Sequence, residues 1–355
     1  MHQIPVLRPR LPKLEVVIPL LQEIDASRIY SNNGPMVERY KFEISKFLGV
    51  SASQIVILSS ATKALQGLLE LSSCNRWLVP DFTFTASGLA VIASGKQLVL
   101  LDIDVEDWEL SHAQVEQNLD SNTGVLPVIP FGNDVNISEW VQYGNLIIDA
   151  AASLGATIQG LEKLNSESSI VFSVHATKVF PAGEGGIAVC GSEELAQKLT
   201  SWASFGMDTS RISQIKGTNA KMTEVVAAYG LAALINHEAE EKEWLARRSQ
   251  ALKIQAKLRL EVNPICSKGV NPYWIVELPS ASLNEVIEKL EFRGVSSRRW
   301  WPAPLSKMPA FQSYRFQKNI NAEHISSSVL GLPFSIDQTP EEFDQIANAL
   351  SEILT

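Results

Sequence analysis

Lys178 stands in "VHATKVF", at the end of an apolar run and just ahead of the glycine-rich "GEGG". A lysine amine attacks a carbonyl only when deprotonated, and apolar surroundings or a nearby cation bring that about. A surface lysine fits the same stretch. Asp149 closes the apolar run "NLIID", the strand end at which open α/β sheets present functional side chains. A carboxylate there suits a cationic partner such as a protonated ring nitrogen. A helix cap for "AAASLGA" also accounts for it. In "IVILSSATKAL" a strand passes through a short polar loop into a helix that begins at about Thr62. Free backbone N–H groups and the positive dipole end make such a junction an anion site, where Ser60, Ala61 and Thr62 could hold a phosphate. Capping by Thr62 explains the same cluster. Phe82 and Phe84, in "PDFTFTA", follow another strand. They offer either a ring that stacks on a flat ligand or two core side chains.

The elements that position these residues alternate. "SQIVILSS" reads as a strand and "ATKALQGLLELSS" as a helix; "RWLVPDF" and "TFTASGLAVIASG" repeat the pair. "KQLVLLDID", "TGVLPVIPF", "NLIIDAA", "SIVFSV" and "GGIAVC" follow as strands. Several are unalternating apolar runs, as strands covered on both faces should be. Strand–helix alternation implies right-handed crossovers and an α/β fold: a mainly parallel sheet between two helical layers. After Asn219 a long charged helical stretch with Gly230 inside it reads as a hinge into a smaller second domain. There "PYWIVELPS" is a strand, "ASLNEVIEKLEFRG" a helix opened by a Ser cap, and "TPEEFDQIANALSEIL" a helix capped by Thr339 with Pro340 in its first turn.

Composition narrows the class. The 355 residues are 45% hydrophobic and carry a net charge of −9, enough for a large domain and a smaller one. No basic stripe favours nucleic acid, and no apolar run approaches the ~20 residues of a membrane span. The proline-broken start, "MHQIPVLRPRLPKLEVVIPLL", lacks signal-peptide features and reads as an arm, with the cytoplasm as the expected location. Three scattered cysteines, Cys74, Cys190 and Cys266, suggest buried thiols rather than a disulfide framework. The histidines show no metal-ligand clustering.

Thr62, Phe84, Asp149 and Lys178 together fit one ligand, pyridoxal 5′-phosphate. It needs a phosphate cradle, a stacking ring, an acid on the pyridine nitrogen and a lysine on the aldehyde. With these residues in place, the chain resembles the DegT/StrS-type sugar aminotransferases. The resemblance runs through "SNNGPMVERYKFEISKFLG", "SSATKAL", "VPDFTFTAS", "VLLDIDVEDWELS", "IIDAAASLGA", "FSVHATKVFPAGEGGIAV" and "KGTNAKMTEVVAAYGLAAL". The Ser-x-His-x-x-Lys…Gly-Glu-Gly-Gly segment is its most specific part. "RRWWPAPLSKMPAF" and "LPFSIDQTPEEFDQI" follow the pattern more loosely.

The resemblance implies a fold type I architecture with a three-layer, mainly parallel sheet. The large cofactor-binding domain with its N-terminal arm would span residues 1–235, and a small C-terminal α+β domain 236–355. It assigns Lys178 to the cofactor aldehyde, Asp149 to the ring nitrogen and Phe84 to stacking, with Ala61, Thr62 and Ser173 on the phosphate. Asn219 would reach the phosphate of a neighbouring subunit, which implies a homodimer with interfacial sites. His175 matches the family histidine, either beside the ligands or packed under the loop. Ala152 departs from the family's Gln or His beside the cofactor's ring hydroxyl, and Lys221 stands where arginine is common.

The implied reaction moves an amino group from an amino acid, glutamate in this family, to a keto sugar carried on a nucleoside diphosphate. Arg298 and Arg299 are candidates for the diphosphate and Trp300 or Trp301 for sugar or base; an ordinary amphipathic edge accounts for them equally. Sugar dehydratases of the same family carry histidine where Lys178 stands, so the lysine counts against that alternative. A cofactor-binding regulator without turnover is another.

Overall fold

A computed structural model describes residues 3–260, 270–316 and 319–354. The strands in chain order are β1 (Ile55–Leu58), β2 (Arg76–Pro80), β3 (Gln97–Leu101), β4 (Thr123–Val125), β5 (Val135–Asn136), β6 (Ile147–Asp149), β7 (Ile158–Gln159), β8 (Ser169–Ser173), β9 (Gly186–Cys190), β10 (Trp274–Glu277), β11 (Arg315–Phe316) and β12 (Val329–Leu332). β1, β9, β8 and β6 pair in that order, as do β11, β3, β2 and β4. Parallel bridges from Val125 to Leu146 and from Val128 to Asp149 join β4 to β6, making one sheet. Within it β9 runs against both neighbours, while the other ladders are parallel.

Both faces of this sheet are buried, which is why its strands lack a polar alternation. Ile55 and Ile57 point into the same core as Ile170, Phe172, Ile187 and Val189. α1 (Leu14–Ser27), α2 (Pro35–Leu48) and α7 (Glu224–Ile235) cover that face. Val56 and Leu58 point the other way, with Val171 and Ala188, under α3 (Ala61–Leu71), α4 (Thr85–Ala93) and α6 (Glu193–Ala203). The short α5 (His112–Asn118) adds Val115 to the first core. The result is the expected three-layer α/β fold.

A separate core surrounds the antiparallel pair β10 and β12. α8 (His237–Leu258), α9 (Leu283–Phe292) and α11 (Pro340–Leu354) pack on it, and α10 (Ile320–Ser328) lies on a further aromatic cluster. The C-terminal segment also returns to the large core. Leu305 and Phe311 belong there, and β11 extends the main sheet beside β3. Buried Asp81 fastens this return: it accepts hydrogen bonds from the Ser306 N–H (2.7 Å), the Ser306 hydroxyl (2.6 Å) and Asn319 Nδ2 (2.8 Å).

The arm is shorter than expected, because Leu14–Ser27 is helical despite Pro19. The extended piece before it is tied down by the Arg8–Glu342 and Arg10–Glu240 ion pairs. The long helical stretch breaks at Asn236 into α7 and α8. Gly230 lies inside α7 because a Cβ there would sit 2.6 Å from the ring of buried Tyr40. "AAASLGA" forms a turn rather than a helix. Ser282 precedes α9 but donates backward to the Pro279 carbonyl at 3.1 Å instead of capping. Thr339 does cap α11, in a reciprocal box: Glu342 N donates to Thr339 Oγ1 (3.3 Å) and Thr339 N to Glu342 Oε2 (3.0 Å). An unforeseen cap is Glu224, whose buried carboxylate accepts from the N–H groups of Gly34 (2.8 Å) and Met36 (2.7 Å) at the start of α2.

Cys74 and Cys190 are buried free thiols, and burial pushes Cys190 up to about 12; Cys266 lies outside the described residues. Among those residues no helix is long and apolar enough to cross a membrane.

Candidate active site

A cleft of about 530 Å³ opens beyond the ends of β1, β6 and β8. Ser60, Ala61 and Thr62 form one end of it, Asp149 and Ser173 its floor, and Phe84, His175 and Lys178 its walls. Arg298 and Trp301 close the far side, together with Trp300, Tyr273 and Phe131. Asn219 and Arg299 are not brought into it.

The phosphate-like end is a helix start. Ser60, not Thr62, is the N-cap of α3: its Oγ accepts from Lys63 N at 3.2 Å. Thr62 is exposed in the first turn and turned to the cleft. Behind this turn runs Gly186, the first residue of β9. A Cβ there would lie 2.4 Å from both Ala61 N and Ser60 C, so the glycine lets the strand press against the anion-binding turn. The "GEGG" close approach thus serves the neighbouring loop.

Asp149 is at the end of β6 and almost wholly buried. Its Oδ2 accepts from the Ser87 hydroxyl at 2.7 Å and its Oδ1 from Ala151 N at 3.1 Å. Because Ser87 gives its hydrogen to Asp149, the Thr83 hydroxyl 3.1 Å away donates to Ser87. Burial holds the Asp149 carboxyl above its ordinary range; Ser87, the Ala151 N–H and the Lys178 charge oppose that shift. Ser87 on α4 went unnoticed in the sequence, where it is one of many serines.

Lys178 is half-buried, in a turn whose N–H donates to the His175 carbonyl at 2.9 Å. Its Nζ donates to the Tyr273 hydroxyl at 2.9 Å. His175 Nδ1 accepts from Thr177 N at 3.2 Å, which leaves the ring hydrogen on Nε2, 3.6 Å from Glu184. Of the two phenylalanines, Phe82 is 1% exposed and belongs to the core, whereas Phe84 is 59% exposed on the cleft wall. Trp301 stacks on Phe131 with centroids 4.3 Å apart. Arg298 lies over Trp300 at 4.9 Å and keeps its charge at the cleft mouth. Arg299 turns away, donating to the carbonyls of Pro302 (2.8 Å) and Ser326 (2.9 Å). Asn219 is exposed and accepts from Lys221 Nζ at 2.8 Å.

The DegT/DnrJ/EryC1/StrS aminotransferase family matches residues 15–351. The chain belongs to that family. A dTDP-4-amino-4,6-dideoxy-D-glucose transaminase of Shigella dysenteriae is 29% identical over 370 residues, covering 98% of each chain. A GDP-perosamine synthase of Caulobacter vibrioides is 26% identical, covering 97% of this chain and 99% of that one. DesI, solved in the presence of its TDP-sugar product, is similar with a TM-score of 0.90 at 25% identity, over 100% of this chain and 94% of that one.

As a DegT/DnrJ/EryC1/StrS aminotransferase, the protein is pyridoxal-phosphate-dependent. The donor set fits that cofactor. A helix start is kept clear by Gly186, a buried carboxylate faces the cleft, and a half-buried amine stands on the wall. Gly186→Ala should displace the Ser60–Ala61 turn. Such overpacking costs about 1–3 kcal/mol, and a cofactor titration should show weakened affinity beside a lowered Tm. An unchanged affinity would separate the turn from phosphate binding.

Ser87→Ala tests the support of Asp149. The ionised carboxylate loses a hydrogen bond and its pKa rises further. Binding a protonated ring nitrogen requires the ionised form, so affinity grows as pH rises through this titration. The acid limb of cofactor affinity should therefore move to higher pH by about one to two units, since a hydrogen bond to a charged group contributes about 1.5–3 kcal/mol. Ser87→Thr should restore it. A profile unmoved in Ser87→Ala would show that the hydroxyl does not tune the acid.

Proposed function

We propose that the protein transfers an amino group from an amino acid, glutamate in the first instance, to the carbonyl carbon of a keto sugar linked to a nucleoside diphosphate. The carrying observation is the convergence of Ser60–Thr62, Asp149, Ser173, Phe84 and Lys178 on a single cleft. The full-length relatives named as nucleotide-sugar transaminase and synthase support the acceptor class.

Pyridoxal phosphate, when bound, supplies an aldehyde and a ring that withdraws electrons from the substrate's reacting carbon. Lys178 Nζ would bind it covalently. Ala61 N–H, the hydroxyls of Ser60, Thr62 and Ser173, and the α3 dipole would hold its phosphate. Asp149 would keep the proton on the ring nitrogen, held in place by Ser87 and Ala151, and Phe84 would cover the ring face. Displaced by the donor's amine, Lys178 Nζ would act as base toward the donor's α-carbon proton. In the second half it would deliver a proton to the sugar carbon receiving nitrogen. Ala152 leaves the ring hydroxyl without the family's Gln or His partner.

Arg298, whose guanidinium has no carbonyl partner among the described residues, is the cation offered to the diphosphate, and Trp301 the surface for sugar or base. His175 Nε2–H is a donor on the same wall. We assign Asn219 to the neighbouring subunit's phosphate in a homodimer; its position outside its own cleft supports this. A cytoplasmic location suits soluble substrates of this kind. Residues 1–235 would form the cofactor-binding unit and 236–355 the small unit, with the break at Asn236 supporting that division.

The test is a panel of nucleoside-diphosphate keto sugars incubated with the cofactor-loaded protein and ¹⁵N-glutamate. Transfer of the label to a sugar, with release of 2-oxoglutarate, is expected. Release of 2-oxoglutarate with no sugar labelled would refute the acceptor class.

A further inference from the structure

Tyr273 precedes β10 of the small sheet, yet its hydroxyl meets the lysine on the opposite wall of the cleft. Lys178 Nζ donates to it at 2.9 Å and lies 5.4 Å from the centroid of the same ring. The phenol is fixed from several directions. Its backbone N–H donates to Asn271 Oδ1 at 3.1 Å. Its ring makes edge contacts with Phe131 at 5.8 Å and Trp300 at 5.2 Å between centroids. The hydroxyl therefore occupies a defined point, set by packing rather than by its own flexibility.

Other polar groups on the cleft walls have partners of their own. The Thr177 hydroxyl donates to His175 Nδ1 at 2.9 Å, and Glu184 faces His175 Nε2. The two oxygens of Asp149 receive Ser87 and Ala151. Lysine's stem has four rotatable carbons and its amine three rotamers about the last bond. A neutral amine carries two N–H bonds and one lone pair. Giving one N–H to a fixed oxygen fixes the rotation about the last bond and confines the lone pair to the two remaining positions.

We propose that Tyr273 is a positioning residue that aims the free amine of Lys178, so that the small domain supplies a part of the machinery for proton transfer. This rests on the reading that Lys178 is the base. Tyr273→Phe keeps the ring and its contacts with Phe131 and Trp300 and removes only the hydroxyl. Two measurements read the loss. In the cofactor-free full chain, trace acetylation followed by peptide mapping should label Lys178 several-fold faster relative to the other lysines, since its partner is gone. In the loaded enzyme, single-turnover reaction with glutamate should slow about tenfold, the effect of losing roughly one hydrogen bond. The α-deuterium isotope effect should rise and the apparent donor affinity stay unchanged. Unchanged labelling or an unchanged single-turnover rate each overturns the proposal. Lys178→Ala run in parallel keeps the two readings apart. If that variant retains turnover, the base assignment fails. If it is inactive while Tyr273→Phe matches wild type, only the aiming role fails.

Discussion

Lys178→Ala should lower turnover by about 10⁴-fold or more, because the proposed covalent anchor and general base would be lost together. No other amine lines the cleft among the described residues, so nothing nearby replaces it. The fold should be almost unaffected. The side chain is half-buried at the cleft edge, and its turn is held by the backbone bond from Lys178 N to the His175 carbonyl. Borohydride treatment of the loaded wild type, followed by peptide mapping, should leave the cofactor on the peptide that contains Lys178. In the variant no peptide should carry it. Retained turnover, or a tag on another lysine, would remove the central assignment.

Asp149→Asn should reduce kcat by about 10²–10³-fold, the loss typical of removing one preorganised electrostatic group from a buried site. The change is close to isosteric, but it replaces a charge that can hold a ring-nitrogen proton by a neutral amide. An asparagine can keep both contacts, its Oδ1 accepting from Ala151 N–H and its Nδ2 donating to the Ser87 oxygen, whose hydroxyl turns toward Thr83. Stability should therefore change little. The pH dependence distinguishes the roles. In the wild type, burial raises the Asp149 pKa, so activity falls as pH drops through that titration. With no carboxylate present, that acid limb should vanish while the overall rate stays low. A wild-type rate with the limb retained would mean that another group supplies the charge.

The strands were readable because burial on both faces removes polar positions from them. β1, β6 and β8 emerge inside "IVILSS", "NLIIDAA" and "SIVFSV". The proposed site residues stand at the ends of those strands, so Ser60 and Asp149 followed from strand ends, while Ser173 came from the family resemblance of its segment. Capping was less legible. Thr339 and Ser282 both look like caps, but the hydroxyl of Ser282 finds a nearer carbonyl. Local sequence cannot rank such competing partners. Arg298 and Arg299 are neighbours of the same type. One stays over Trp300 at the cleft mouth, and the other is bound to the Ser326 carbonyl of α10.

The amino-acid sequence by itself determined the layered α/β class, the order of the strands along the chain, and a set of residue types suited to an aldehyde-bearing phosphate cofactor. Periodicity and strand ends are local properties, and local properties survive in one dimension. Only the tertiary structure decided which groups support that set. Ser87 reaches Asp149 across 62 residues and Tyr273 reaches Lys178 across 95. Gly186, far on in the chain but on the strand paired with β1, makes room for Ser60 and Ala61. Those contacts are set by how helices and strands distant in sequence pack together, and no local pattern records which distant side chain will fill a given space.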